Sequence, residues 1–253
     1  METERCGLFW QKQGLERVFI FVYNVKNSFP TEGIVESRLF MGTTLILVRH
    51  GESNANGNGF FAGQLDIGLS QRGLQQAELT AQYIRENYHV DAIYSSDLQR
   101  AYHTALPIAK ACDVEIIALP QLREIFAGEW QGVTFDELQT RYSDSFCVWL
   151  NNIGKAQPPN GESVEALSDR IWNAVQEIVR KEEGKTVVIV THATPIRTLM
   201  CRIKGMELNQ MKQIPWVSNA SLSVVCADDV WTLSQESFDL HLTGIKTQFP
   251  ANV

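Results

Sequence analysis

Leu45-Ile46-Leu47-Val48-Arg49-His50-Gly51-Glu52-Ser53 is a branched apolar run that stops abruptly at an arginine, a histidine and a glycine. Residues 45–48 read as a buried strand. An open α/β sheet binds its ligand beyond the carboxyl ends of its strands, so reactive side chains there mark a candidate site. The imidazole of His50 can attack or shuttle protons, and the Arg49 guanidinium is a planar donor suited to phosphate or carboxylate. Gly51 lets the backbone turn sharply and approach a bound group. By themselves the nine residues fit equally well a strand end whose polar side chains face water.

Working outward, Asn54–Gly68 is rich in Gly and Asn and has no apolar periodicity, so a loop is expected. Ser70 is a candidate N-cap for a helix running to about Asn87, with Leu74, Ala77, Ala81 and Ile84 on one face. Val90–Tyr94 reads as a second buried strand. Ser95-Ser96-Asp97 then offers N-caps for a helix from Leu98 to about Cys112, which puts Arg100 in a first helical turn. Val114–Leu119 predicts a third strand, ended by Pro120. Residues 122–132 carry neither period and read as a loop across the mouth of the sheet. Phe135–Trp149 predicts a mostly helical, aromatic-rich insertion. Ser163 caps an amphipathic helix with Val164, Leu167, Ile171, Ala174 and Ile178 on one face, and Gly184 closes it. Thr186–Val190 is a continuous apolar run of the kind buried on both faces, and it ends in Thr191-His192. A helix from Pro195 to Cys201 and late strands at Ser221–Cys226 and Trp231–Leu233 follow. This alternation predicts one α/β domain with a mainly parallel sheet.

Composition narrows the function classes. The chain has 253 residues, 44% of them hydrophobic and 20% charged, which suits a globular protein with a substantial core. A net charge of −7 argues against a general nucleic-acid binder, yet local arginines can still hold a small anion. Five scattered cysteines without a C-x-x-C pair indicate neither a disulfide framework nor a cysteine zinc site, and fit a reducing, cytoplasmic setting. No apolar run approaches the roughly 18 residues of a membrane helix. Residues 1–40 stand apart from the rest. Val18–Tyr23 has strand character, but unpatterned polar residues flank it and no small-residue cleavage site follows. The expectation is that 1–40 is an upstream extension, with Met41 the physiological start and 41–253 the domain; the alternative is a partly ordered N-terminal arm.

Arg49-His50 and Thr191-His192 both end strands, and Arg100 follows a third. In a mainly parallel sheet those ends share one edge, so two histidines and two arginines can converge on a dianion through charge-assisted forks. A metal is a poor fit there, because adjacent guanidiniums repel a divalent ion and no H-E-x-x-H motif or carboxylate cluster is present.

These residues carry a resemblance. Arg49-His50-Gly51-Glu52-Ser53 with Asn56 is similar to the R-H-G-[ET/ES]-x-x-N signature of the histidine phosphatase (phosphoglycerate mutase-like) superfamily. Gly63-Gln64-Leu65-Asp66 with Leu69–Gly73, Ser95–Ala101 with Thr104-Ala105, Leu122-Arg123-Glu124 with Gly128-x-Trp130-x-Gly132, and Gly161-Glu162-Ser163 with Val190-Thr191-His192 continue it in order. The resemblance covers about residues 43 to 226. It departs at His192-Ala193, where a His-Gly pair is usual, and at Gly68-Leu69-Ser70.

The resemblance implies a three-layer αβα sandwich and a small phosphatase that needs no metal or cofactor. His50 would attack phosphorus and form a phosphohistidine that water hydrolyses, dividing one hard displacement into two easier ones. A backbone carbonyl near the turn would hold the proton of the other ring nitrogen. Arg49, Asn56, Arg100 and His192 would bind the non-bridging oxygens, and Glu124 would serve as proton donor and acceptor. Ala62 and Gly63 are candidates for substrate contact, and Arg123 is expected to pair with a structural acid. The partner is a small-molecule phosphate monoester, not nucleic acid or membrane; a homo-oligomer is left open. Between Trp130 and Gly161 the cations are Arg141 and Lys155, amid Phe135, Tyr142, Phe146 and Trp149, an apolar lid that suits a hydrophobic or sugar-like body. Mutase-type phosphoryl transfer and a catalytically weak binding module are the alternatives.

Overall fold

The computed structural model describes residues 42–247. The expectations for residues 1–40, for Met41 as a start and for Val18–Tyr23 lie outside the described residues.

The opening stretch forms β1 (Thr43–Arg49), followed by a short helix α1 (Asn54–Asn58) and by α2 (Gln71–Asn87). Next come β2 (Ala92–Ser95), α3 (Gln99–Cys112) and β3 (Ile116–Ala118), then α4 (Phe135–Arg141), α5 (Ser143–Asn151) and α6 (Val164–Lys181). β4 (Thr186–Thr191), α7 (Ala193–Ile203), β5 (Leu222–Ala227) and β6 (Thr232–Phe238) complete the order. The strands form one six-stranded sheet in the order β3-β2-β4-β1-β5-β6. β1, β2, β3 and β4 run parallel, while β5 and β6 are antiparallel additions at one side.

β1 and β4 read as unbroken apolar runs because both of their faces are covered. Leu45, Leu47, Val187 and Ile189 point into a core with Val164, Leu167, Ile171 and Val175 of α6 and Ile196, Leu199 and Met200 of α7. Ile46, Val48, Val188 and Val190 point the other way, onto Ala81 and Ile84 of α2 and Ala101, Ala105 and Ile108 of α3. The result is the three-layer αβα sandwich.

Three local readings need correction. Leu74 is 45% exposed; the buried face of α2 is Gly73, Gln76, Ala77, Thr80, Ala81 and Ile84. Two polar residues sit on that face because they work there: Gln76 Oε1 accepts from Glu52 N–H at 2.8 Å, and the Thr80 hydroxyl bonds the Ala220 carbonyl at 3.0 Å. The 54–68 segment contains α1, nucleated by a reciprocal cap in which Asn56 N–H donates to Ser53 Oγ and Asn56 Oδ1 accepts from Ser53 N–H. No side chain of the 95–97 trio caps α3 at its Leu98 N-cap position. Gln99 N–H donates instead to Asp66 Oδ1 at 2.7 Å, from the loop before α2. Elsewhere Ser70 and Ser163 cap their helices as expected. The insertion is two helices broken at Tyr142, β3 is a short and largely exposed edge strand, and β6 extends to Phe238.

The chain after β1 crosses α2 backbone to backbone. A Cβ on Gly73 would lie 2.0 Å from the Glu52 carbonyl oxygen, and one on Gly51 would lie 2.5 Å from the Gly73 oxygen. Both contacts are with backbone, which cannot swing aside. Gly73→Ala is therefore expected to cost about 2–3 kcal/mol, read as a fall of roughly 4–12 °C in Tm; an unchanged melting curve would contradict the crossing.

Candidate active site

Register brings the reactive groups together. Arg49 pairs with Thr191 across β1 and β4, His50 N–H donates to Thr191 O at 2.9 Å, and Ser96 N–H donates to Val190 O at 2.9 Å. The ends of β1, β4 and β2 therefore lie side by side, and the two imidazoles are 5.1 Å apart between centroids. Arg49, His50, Arg100 and His192 are all buried. A cavity of about 340 Å³ opens over this edge; Arg49, His50, Asn56, Ala62, Gly63, Arg100 and Glu124 line it. His192 lies beneath, against His50.

Each group is held by identifiable partners. His50 Nδ1 is 2.6 Å from the Gly51 carbonyl oxygen, which can only accept, so Nδ1 carries the proton and Nε2 keeps its lone pair. The carbonyl orienter expected from sequence is thus Gly51. Arg100 donates to the Gly63 and Leu65 carbonyls at 2.7 and 2.9 Å, and Gly63 bends through a positive φ of 51° to present its carbonyl. Asn56 Oδ1 accepts from Ser53 and from Asn219 Nδ2, which fixes the amide and leaves its NH2 to face the cavity. His192 Nε2 is 2.9 Å from Ser96 Oγ, and His192 Nδ1 is buried with no partner among the described residues. Ala193 opens α7 in ordinary helical conformation, so the alanine after His192 fits without strain and its methyl lines the cavity.

Glu124 accepts from Ile125 N–H at 2.9 Å and from Thr194 N–H at 3.3 Å. Its loop is pinned by Arg170 of α6, which donates to the Gln121, Arg123 and Glu124 carbonyls and pairs with Glu162 at 2.8 Å. Arg123 turns away from the cavity and pairs with Asp97 in a two-pronged contact, as expected.

Electrostatics follow from this burial. Desolvation, then Arg100 and Arg49, hold the His50 imidazole well below the usual histidine range; desolvation, Arg100 and His50 do the same to His192. Both rings are therefore neutral near pH 7. Desolvation raises the Glu124 carboxyl above its ordinary value, against the opposing pull of its backbone donors and Arg100. Burial lowers Arg49 to about 9 and Arg100 to about 10, which leaves both charged at neutral pH. A neutral imidazole, a carboxyl raised above its ordinary range and fixed cations form a set that can accept a dianion and move a proton.

The sequence profile of the histidine phosphatase superfamily (branch 1) matches residues 45–236. The chain belongs to this superfamily. Phosphoserine phosphatase 1 of Hydrogenobacter thermophilus is 38% identical over 181 residues, covering 72% of this chain and 85% of that protein. The metal-independent phosphoserine phosphatase of Arabidopsis thaliana is 34% identical over 206 residues, 80% of this chain and 84% of that one. Among solved structures, YhfR of Bacillus stearothermophilus superposes with a TM-score of 0.76 at 31% identity, covering 79% of this chain and 99% of that one. These phosphatase relatives and the shared fold make the chain a phosphoric monoester hydrolase.

Four residues of the site went unread in the sequence. Asn219 Nδ2 reaches the His50 and Gly51 carbonyls and Asn56, tying the turn after β1 to a phosphate-binding candidate. Trp216 receives the guanidiniums of Arg49 and Arg197 at 5.3 and 5.4 Å from its ring centre. Arg197 itself lines the cavity, and Arg170 holds the acid loop from behind. Position relative to α7 and to Gly161-Glu162-Ser163 could have flagged Arg197 and Arg170; Asn219 and Trp216 lie in a segment with no periodic signal. Among the described residues no cluster of His, Cys, Asp and Glu is arranged to hold a metal ion, and no helix is long and apolar enough to cross a membrane.

Proposed function

We propose that the chain hydrolyses small-molecule phosphate monoesters with His50 Nε2 as nucleophile. The observation that carries this is the 2.6 Å contact of Nδ1 with the Gly51 carbonyl, which commits the lone pair to the cavity side of a neutral ring. In the first step Nε2 bonds to phosphorus as the P–O bond to the leaving alkoxide breaks, and Glu124 gives that oxygen its proton. In the second step water attacks phosphorus, Glu124 takes its proton, and the P–N bond breaks to release phosphate. Arg49, Asn56, Arg100 and the Nδ1 side of His192 hold the three non-bridging oxygens, whose charge spreads through a loose transition state. Catalysis is then mostly placement, with no step calling for a metal.

The phosphoserine phosphatases among the relatives make phosphoserine a natural first substrate. A cytoplasmic setting and a catalytic domain at 41–253 accord with this reading. Phosphate release from a panel of monoesters tests it, with an alkaline denaturing quench to recover an acid-labile, alkali-stable phosphoryl group on His50. Release without any phosphoenzyme would sink the covalent step. Transfer of label between phosphoglycerate isomers without net release would favour the mutase alternative. That reading has less support: Arg141 and Lys155 of the insertion stand away from the cavity, while Phe135, Phe146, Trp149, Leu150 and Ile153 line it.

A further inference from the structure

The turn after β1 is tied to Ala220, whose N–H donates to the Arg49 and His50 carbonyls at 3.1 Å each. Ala220 is fully buried and adopts a positive φ of 58°. That conformation is costly for a residue with a Cβ and persists where its surroundings impose it. Here the restraint comes from α2. Thr80 Oγ1 lies 3.0 Å from the Ala220 carbonyl and 2.9 Å from the Gln76 carbonyl, and its one hydrogen serves these two acceptors. His241 Nε2, 3.0 Å from the same oxygen, is therefore the donor to it.

A second tie runs beside the first. Gln76 Oε1 accepts from Glu52 N–H, two residues past His50, while Gln76 Nε2 donates to the Ile245 carbonyl at 2.8 Å and to Thr247 Oγ1 at 3.1 Å. Both ties end on one segment, residues 239–247. An ion pair of Lys246 with Asp239 at 2.6 Å and backbone bonds from Leu242 to Asp239 and from Ile245 to Leu242 fold that segment on itself, with Leu242 fully buried. Tyr83 of α2 and Phe238 at the end of β6 stack on the His241 ring, at 5.1 and 5.6 Å between centroids and 22° and 18° between planes. The segment begins beyond residue 236, where the superfamily match ends.

We propose that residues 239–247 are a strap that positions the nucleophile, with His241 acting through Thr80 and Ala220 on the backbone of His50. Gln76, Thr80 and His241 stand outside the cavity lining, so they are positioning residues and touch no substrate. In-line attack depends on where His50 Nε2 stands, and a misplacement of about 1 Å can cost on the order of 10²-fold in rate. The inference rests on the phosphatase reading above.

The test uses the full-length protein and p-nitrophenyl phosphate, whose leaving group needs no proton from Glu124. His241→Phe keeps an aromatic ring in the stack and removes the donor. It is expected to slow single-turnover release of p-nitrophenolate at saturating ester by roughly five- to tenfold. Competitive inhibition by inorganic phosphate should stay within about twofold of wild type, because the guanidiniums are untouched. His241→Gln supplies a donor Nε2 again and should recover most of the rate. Thr80→Val should match His241→Phe, and the double variant should be no slower than either alone, since both break one chain of bonds. A wild-type rate in His241→Phe, a glutamine variant as slow as the phenylalanine one, or losses that multiply in the double variant would each overturn the strap. If Thr80→Val does not fold, the two His241 variants decide. Absence of hydrolysis by the wild type removes the phosphatase reading and the strap with it.

Discussion

His50→Ala is expected to abolish turnover, with kcat falling on the order of 10⁶-fold, the scale seen when a covalent nucleophile is deleted. His192 Nε2 is occupied by Ser96, and Glu124 is engaged by two backbone N–H groups. The alanine variant should keep its Tm within a few degrees, since the backbone bonds of residue 50 to Thr191, Ala220 and Asn219 do not involve the ring. It should still bind inorganic phosphate, because the guanidiniums remain. Equal residual activity in wild type and variant would remove the enzyme reading. Because burial and two arginines depress the imidazole, the acid limb of the wild-type kcat/KM profile is expected below the ordinary histidine range. A limb centred near 6.5 and lost with His50 would argue for an exposed ring.

Glu124→Gln comes next in size, at about 10²–10⁴-fold in kcat for alkyl monoesters. Its dependence on leaving group is the sharper readout. An alkoxide needs a proton as it departs, whereas p-nitrophenolate leaves without one, so the deficit should shrink for p-nitrophenyl phosphate. The sign with pH follows from the carboxyl environment. Desolvation raises the Glu124 carboxyl, the acid form persists above the usual carboxylate range, and phosphorylation of His50 slows as pH climbs through that raised value. The glutamine variant should lose this alkaline limb; if it keeps both the limb and its activity on alkyl esters, another group is the acid.

The legible part of this protein was its apolar arithmetic. β1 and β4 announced themselves because strands covered on both sides carry no polar interruptions, and the reactive pairs at their ends stood out against that background. Helix starts were legible where the cap is local, as at Ser70 and Ser163. The start of α3 was not, because its cap comes from Asp66, 33 positions earlier in the chain. The same distinction separates the site residues. Arg49, His50, Arg100, Glu124 and His192 sit in short local patterns, whereas Asn219 and Trp216 act across long separations from turns without periodicity. Leu74 misled because helical spacing shows which residues share a face but not where that face ends.

The borrowed cap on α3 has a consequence for binding. Asp66 holds Gln99, and two carbonyls from the same loop hold Arg100, so the arginine loses its freedom when the chain folds. A flexible arginine that had to be ordered by its ligand would take back up to about 2 kcal/mol in rotamer entropy. On the proposed reading, an arriving phosphate would meet a guanidinium already held in place, with that entropy surrendered beforehand. The loop between α1 and α2 is where that saving is stored.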